Sequence, residues 1–201
     1  ILARFEESEI SSKEVALIGI LGAIIAASRI PFAALPNIQP CTFLIICTGL
    51  VFGALAGAMA GVTTAAVSNF FFGHGPWTPW MMVAWAMVGM VSALVGKRLR
   101  EEVTVTHVIF LGVILGLAYN VLMDFSSWLT FYRAVPDLFL PTMVAGIPYG
   151  ILHVIGNVIF AAVLGRPVLT LFKRFRRRTH VSYRPDDDEV VMSASAGTAA
   201  M

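Results

Sequence analysis

Long apolar runs separated by short polar breaks dominate this chain. The first, "VALIGILGAIIAASRIPFAA", covers residues 15–34. A second stretch, 41–72, holds no charged residue and divides near Gly53–Gly57. Each half is short for a full crossing at about 1.5 Å per residue, so a tight glycine-rich turn between them predicts a helical hairpin. Three more runs follow at 79–95, 107–131 and 146–165. The pattern predicts an all-α polytopic membrane protein of six transmembrane helices.

Composition and charge sharpen that picture. The chain is 58% hydrophobic and 13% charged, against roughly 25% charged in ordinary soluble domains. From residue 30 to residue 96 there is no Asp, Glu, Lys or Arg. With six spans, all but Arg29 and Arg133 of the 14 lysines and arginines fall on one side. They are Arg4, Lys13, Lys97, Arg98, Arg100, Arg166, Lys173, Arg174, Arg176, Arg177, Arg178 and Arg184. The positive-inside rule then makes both termini cytoplasmic. Expected segments are a cytoplasmic N-terminal stretch at 1–13, a membrane domain at 14–178 with a basic helical end, and a disordered cytoplasmic tail at 179–201. The opening "ILARFEESEISSKE" is too polar for a signal peptide, and its Ile1 start suggests a trimmed N-terminus. Cys41 and Cys47 sit six apart in an apolar run and read as small fillers. The basic residues lie beside membrane ends and give no nucleic-acid signal.

Polar residues inside the spans are the candidates for chemistry, because a central acid costs about 2.5–3.5 kcal/mol on insertion scales. Asp124 lies about seven residues, roughly 10 Å, below the outer end of the fifth span, and His153 lies at a matching depth in the sixth. Asn120 and Asn157 are each one turn deeper. This predicts two polar rungs, Asp124 with His153 and Asn120 with Asn157, with Trp128 and Tyr149 one turn outward. They form either the floor of an outward-facing pocket or a structural pairing of two helices.

The stretch "SNFFFGHGPWTPWMM", residues 68–82, reads as a stiff aromatic outer loop, with Asn69, His74, Trp77 and Trp80 available to a ligand. The first outer loop, "PFAALPNIQP", adds Asn37 and Gln39; the third, "YRAVPDLFLPT", adds Tyr132, Arg133 and Asp137. A stiff loop bearing flat rings loses little entropy on closing over an organic molecule. In the first span Gly19, Gly22, Ala23, Ala26 and Ala27 form a small-residue face suited to close helix contact. The chain has no phosphate loop, nucleophile elbow or zinc-helix motif, and no series of ionisable residues for a proton relay. Neither an enzyme nor a self-powered pump is indicated, and no cofactor or metal is implied.

Six short spans, the small-residue face, "PNIQP", "SNFFFGHGPWTPW" and "LHVIGNVIF" followed by "GRP" together resemble the substrate-binding S component of energy-coupling factor (ECF) vitamin transporters, over about residues 14–175. The resemblance implies capture of a vitamin outside a bacterial or archaeal cell membrane, with the outer loops closing over it. It implies docking, through the first helix, on a transmembrane coupling subunit joined to two cytoplasmic ATPases. The docking face would be the five small residues named above. The Gly-Pro-Trp-Thr-Pro-Trp loop is similar to that of members assigned to cobalamin or its precursors, so a corrinoid is the expected ligand. The residues alone leave open a self-contained carrier or channel, or an intramembrane enzyme using Asp124 and His153.

Overall fold

A computed structural model of the chain describes residues 12–99 and 102–180. Of the expected N-terminal segment and tail, residues 1–11 and 181–201 lie outside the described residues, and the rest belong to the first and last helices. The described residues contain no strand and form six α-helices: α1 Ser12–Ser28, α2 Cys41–Phe52, α3 Ala54–Phe72, α4 Trp77–Leu99, α5 Val105–Ser127 and α6 Phe139–His180. Short 3-10 turns at Ile30–Phe32 and Pro136–Leu138 and a π turn at Trp128–Tyr132 lie between them.

Burial runs opposite to that of a soluble protein. Ile20, Ile24, Leu94, Phe110, Val121, Leu140, Val144 and Val163 are exposed, while Thr42, Thr48, Thr64, Ser68, Asn69, Ser92, His153 and Asn157 are almost fully enclosed. Such an exterior is matched to lipid, where a polar group finds no partner and must turn inward. Five helical segments are long and apolar enough to cross a membrane. The exception is α2, at 12 residues.

That short helix is the hub. α2 packs against all five other helices, and all its residues except Leu44 and Phe52 are buried. A helix surrounded on every side needs no polar face, which explains its uniformly apolar sequence. It ends at Gly53, whose φ of 95° lies in the left-handed region open to glycine, and α3 starts at the next residue. The hairpin read from sequence is present, with this single residue as its turn.

Next to the turn, Gly49 of α2, Gly57 of α3 and Gly89 of α4 meet backbone to backbone. A Cβ on Gly49 would stand 2.3 Å from the Gly89 carbonyl oxygen, and one on Gly89 would stand 2.2 Å from the Gly57 carbonyl carbon. In lipid, helix association depends on such close approach, because apolar side chains gain nothing by leaving hydrocarbon.

α5 and α6 run antiparallel, and their register departs from the sequence reading. Gly112 lies against Asn157, Gly116 against His153 and Asn157, Asn120 against Gly150, and Asp124 against Gly146. The sixth helix starts at Phe139 rather than near 146. Pro141 and Thr142 look like loop residues, but a proline in the first turn removes no helical hydrogen bond. The seven extra residues move every residue of α6 two turns along α5. The basic stretch continues α6 to its end at His180.

Replacing Gly89 by Ala should lower the thermal unfolding midpoint in detergent, by the equivalent of about 1–3 kcal/mol, because the added methyl meets backbone. Gly19→Ala, placed where nothing lies within 4 Å, should leave the midpoint unchanged or raise it slightly. Equal effects at the two positions would contradict the packing described.

Candidate functional site

One end of the bundle gathers nearly all of the polar contacts, and Arg29 is at their centre. It follows directly after α1. Its Nε donates to Gln39 Oε1 of the first connection, and one terminal nitrogen donates to Ser68 Oγ at 2.9 Å and Asn69 Oδ1 at 3.1 Å on α3. The guanidinium carbon stands 4.2 Å from the Phe72 ring centroid and 5.8 Å from that of Trp85. Aromatic rings thus stand beside the cation while its N–H groups are hydrogen-bonded. Asn69 passes the network on: its Nδ2 donates to Thr78 Oγ1 on α4 at 2.9 Å and to the Met81 sulfur at 3.5 Å.

Beside this lies a column of rings. Trp85 stacks on Tyr119 with centroids 5.3 Å apart, and Tyr119 stacks on His153 at 5.2 Å. Thr42 joins the ends of the column. Its Oγ1 accepts from Trp85 Nε1 at 3.0 Å and lies 3.0 Å from His153 Nε2. On the other side of the imidazole, Nδ1 is 3.3 Å from the Asn37 carbonyl oxygen. Both ring nitrogens of His153 are thus engaged, with Tyr119 on its face.

Asn37 ties the first connection to the same end. It takes a φ of 59°, which asparagine tolerates better than most residues. Its Nδ2 donates to Asn120 Oδ1 at 2.8 Å and to the Tyr149 carbonyl at 3.0 Å. Asn120 in turn donates to the Gly116 carbonyl at 2.8 Å. The first connection is bonded to α3 by Arg29, which Gln39 also holds, and to α5 and α6 by Asn37.

The expected rungs are not formed. Asp124 lies over Gly146, two turns nearer the Arg29 end of α6 than His153, and Asn157 donates to the Gly112 carbonyl at 3.2 Å rather than meeting Asn120. Both corrections follow from the earlier start of α6. They also leave an acid–base pair of Asp124 and His153 unassembled. The aromatic loop is shorter than expected as well: only residues 73–76 are non-helical, because α3 runs through Phe72 and α4 begins at Trp77. Asn69, Trp77 and Trp80 are helical residues. Trp77 folds its ring over Gly75, where a Cβ would meet it at 2.4 Å.

Of the candidate ligand-binding residues, Asn37, Gln39, Asn69, Asn120 and His153 are brought into one connected group. His74 is exposed and sits edge-on to Phe70 at 4.8 Å. The Tyr149 side chain is exposed, and only its carbonyl joins the group. Trp80 and Trp128 flank Phe125 at 6.5 and 6.0 Å. The buried Trp128 Nε1 has no hydrogen-bond partner among the described residues. Asn157 is buried one turn deeper than His153. Sequence reasoning missed Arg29, Thr42, Ser68, Thr78, Trp85 and Tyr119. Arg29 carried a usable signal, as a cation at the edge of an otherwise uncharged run; a threonine or tryptophan in an apolar segment carries none.

On α1 the small residues divide into two groups. Gly22 faces α3, where a Cβ would stand 2.6 Å from Thr63, and Ala26 is buried. Gly19, Ala23 and Ala27 are exposed, flanked by Ile20 and Ile24. Gly22 and Ala26 thus pack internally and are not open to a partner.

Arg29→Ala would leave Gln39, Ser68 and Asn69 facing one another without their donor, and should destabilise the protein by about 1–3 kcal/mol. Arg29→Lys should recover only part of this, because an ammonium cannot serve the same divergent acceptors. Thermal unfolding of both variants in detergent checks the order; equal stability of the three proteins would remove Arg29 from its central place.

Comparison with known proteins supplies the family. A UPF0397 protein of Aliivibrio salmonicida (strain LFI1238) is 23% identical over 188 residues, covering 86% of this chain and 97% of that relative. No solved structure matches the chain. The family model for the ECF-type riboflavin transporter S component matches residues 9–174. With most of the chain matched, the protein belongs to the ECF-type riboflavin transporter S component family.

Proposed function

We propose that this chain is the substrate-binding membrane subunit of an ECF vitamin transporter, that it takes riboflavin or a flavin-like vitamin, and that the Arg29 end holds the ligand. The observation that carries the reading is the connected group of Arg29, Asn37, Gln39, Asn69 and Asn120 beside the Trp85–Tyr119–His153 column. Amide side chains offer both donors and acceptors, which suits the carbonyl and N–H edge of a flat heterocycle and the hydroxyls of a polyol chain. Stacked rings suit its faces. The unpartnered Trp128 N–H is a further donor at this end. A ligand entering here would exchange contacts these groups now make with one another, so its polar atoms need not be left unpaired.

An even number of crossings with both termini in the cytoplasm fits the position of the charges. Lys97 and Arg98 close α4, and Lys173, Arg174, Arg176 and Arg177 lie in the last turns of α6, at the end opposite Arg29. Lys173 Nζ donates to the Val103 carbonyl at 3.0 Å, fixing that end of α6 to the α4–α5 connection. The positive-inside rule puts this end in the cytoplasm of a bacterial or archaeal cell and the vitamin site outside. Transport then needs a transmembrane coupling subunit and two ATPases, with Gly19, Ala23 and Ala27 as the contact on α1.

Riboflavin fluorescence should be quenched on titration with the purified protein, and Asn69→Ala should weaken binding by roughly tenfold, as for one lost polar contact. Binding of cobalamin but not riboflavin would assign the site to a corrinoid instead; binding of neither would overturn the assignment. Sealed liposomes holding this chain alone should not accumulate the vitamin, and uptake driven by an ion gradient would make it a self-contained carrier. Ala23→Leu with Ala27→Leu should spare binding yet abolish uptake by the assembled transporter.

A further inference from the structure

The α2–α3 hairpin turns back at Gly53 beside the last turns of α4 and α6. α4 meets the hairpin at Gly89 and again at Gly96, whose Cβ would stand 2.4 Å from the Leu50 carbonyl oxygen, and runs on to Leu99. α6 passes with Phe172 and Phe175, whose ring centroids lie 5.4 and 6.5 Å from that of Phe52. Beyond the hairpin tip this leaves an open groove of about 660 Å³. Leu50, Phe52 and Gly53 form its inner wall, Leu94 and Lys97 of α4 one side, and Arg176 of α6 the other.

We infer that this groove seats an anionic phospholipid from the leaflet at the basic end, with its acyl chain against the hairpin tip and its phosphate at Lys97 and Arg176. Charge and apolarity together argue for that occupant: apolar walls that carry two cations match an amphiphile with one anionic head. A soluble anion would have no use for the apolar walls. Basic pockets between helices at a cytoplasmic face are a recurrent setting for lipid headgroups. The site is independent of which vitamin the opposite end takes.

Native mass spectrometry of the full chain, titrated with phosphatidylglycerol or phosphatidylcholine, tests this. The protein should retain phosphatidylglycerol preferentially. Lys97→Gln with Arg176→Gln should weaken that retention by roughly tenfold or more, leaving phosphatidylcholine unaffected. Lys97→Gln alone, at an exposed position, should give an intermediate loss and guards against a folding defect in the double variant. Ala54→Phe, at the hairpin tip, should reduce retention of both lipids by filling the space for the chain. Arg133→Gln, at the other end, should change nothing. Equal retention of the two lipids by the unaltered protein, or an unchanged preference in both Lys97 variants, overturns the proposal. So does unchanged lipid retention with loss of the coupling subunit, which would make the groove a protein contact. Riboflavin binding, measured on the same variants, should be unaffected and separates this result from the fate of the vitamin site.

Discussion

Arg29 places a permanent charge at the edge of a bundle whose outer surface is matched to hydrocarbon, and the surrounding residues are arranged by the need to accommodate it. A guanidinium has five donors in a plane and two faces. Gln39, Ser68 and Asn69 accept from it, and the Phe72 and Trp85 rings stand beside it. Those partners come from the first connection, α3 and α4, so satisfying one cation fixes the relative positions of four segments. Asn69 extends the order to Thr78. Through Trp85 and Thr42 it reaches His153 on α6. In lipid, where water cannot substitute for a missing partner, such a network specifies an arrangement that apolar contacts alone would leave loose.

The other organising constraint is the short central helix. Because α2 is enclosed on all sides and its hairpin is drawn tight at Gly49, Gly57 and Gly89, the bundle has different ends. At one, α2 opens with Thr42 beside the ring column, and the residues that would meet a vitamin converge. At the other, the hairpin tip borders a groove beside Lys97 and Arg176.

Much of this was legible in the residues, and what was not has definite causes. Apolar runs gave the six helices, and the glycines at 53–57 gave the hairpin, because both signals are local. The pairing of α5 with α6 was not local. It depended on where α6 starts, and Pro141 hid seven helical residues that moved the register by two turns. Asn37, Gln39, Asn69, Asn120 and His153 stood out as polar groups in apolar surroundings, and all five belong to the connected group at the Arg29 end. Arg29 had been read only as one of two charges on the far side, since sequence cannot show which partners a cation will find. Trp85 and Tyr119 have no signal of their own, because an aromatic residue in a membrane helix looks the same whether it stacks on a histidine or faces lipid. Gly22 and Ala26 look like Gly19 and Ala23 in sequence; only the position of α3 separates them.

The central claim is that a vitamin is held at the Arg29 end, among groups that otherwise bond to each other. Hydrogen–deuterium exchange with and without riboflavin tests it most directly, since it reports where along the chain the ligand acts. The account predicts added protection in residues 29–42 and 68–82 and in the outer turns of α5 and α6, with none at residues 50–57 or the basic end. Protection confined to the hairpin tip and the basic end, or no change in the first connection, would contradict it.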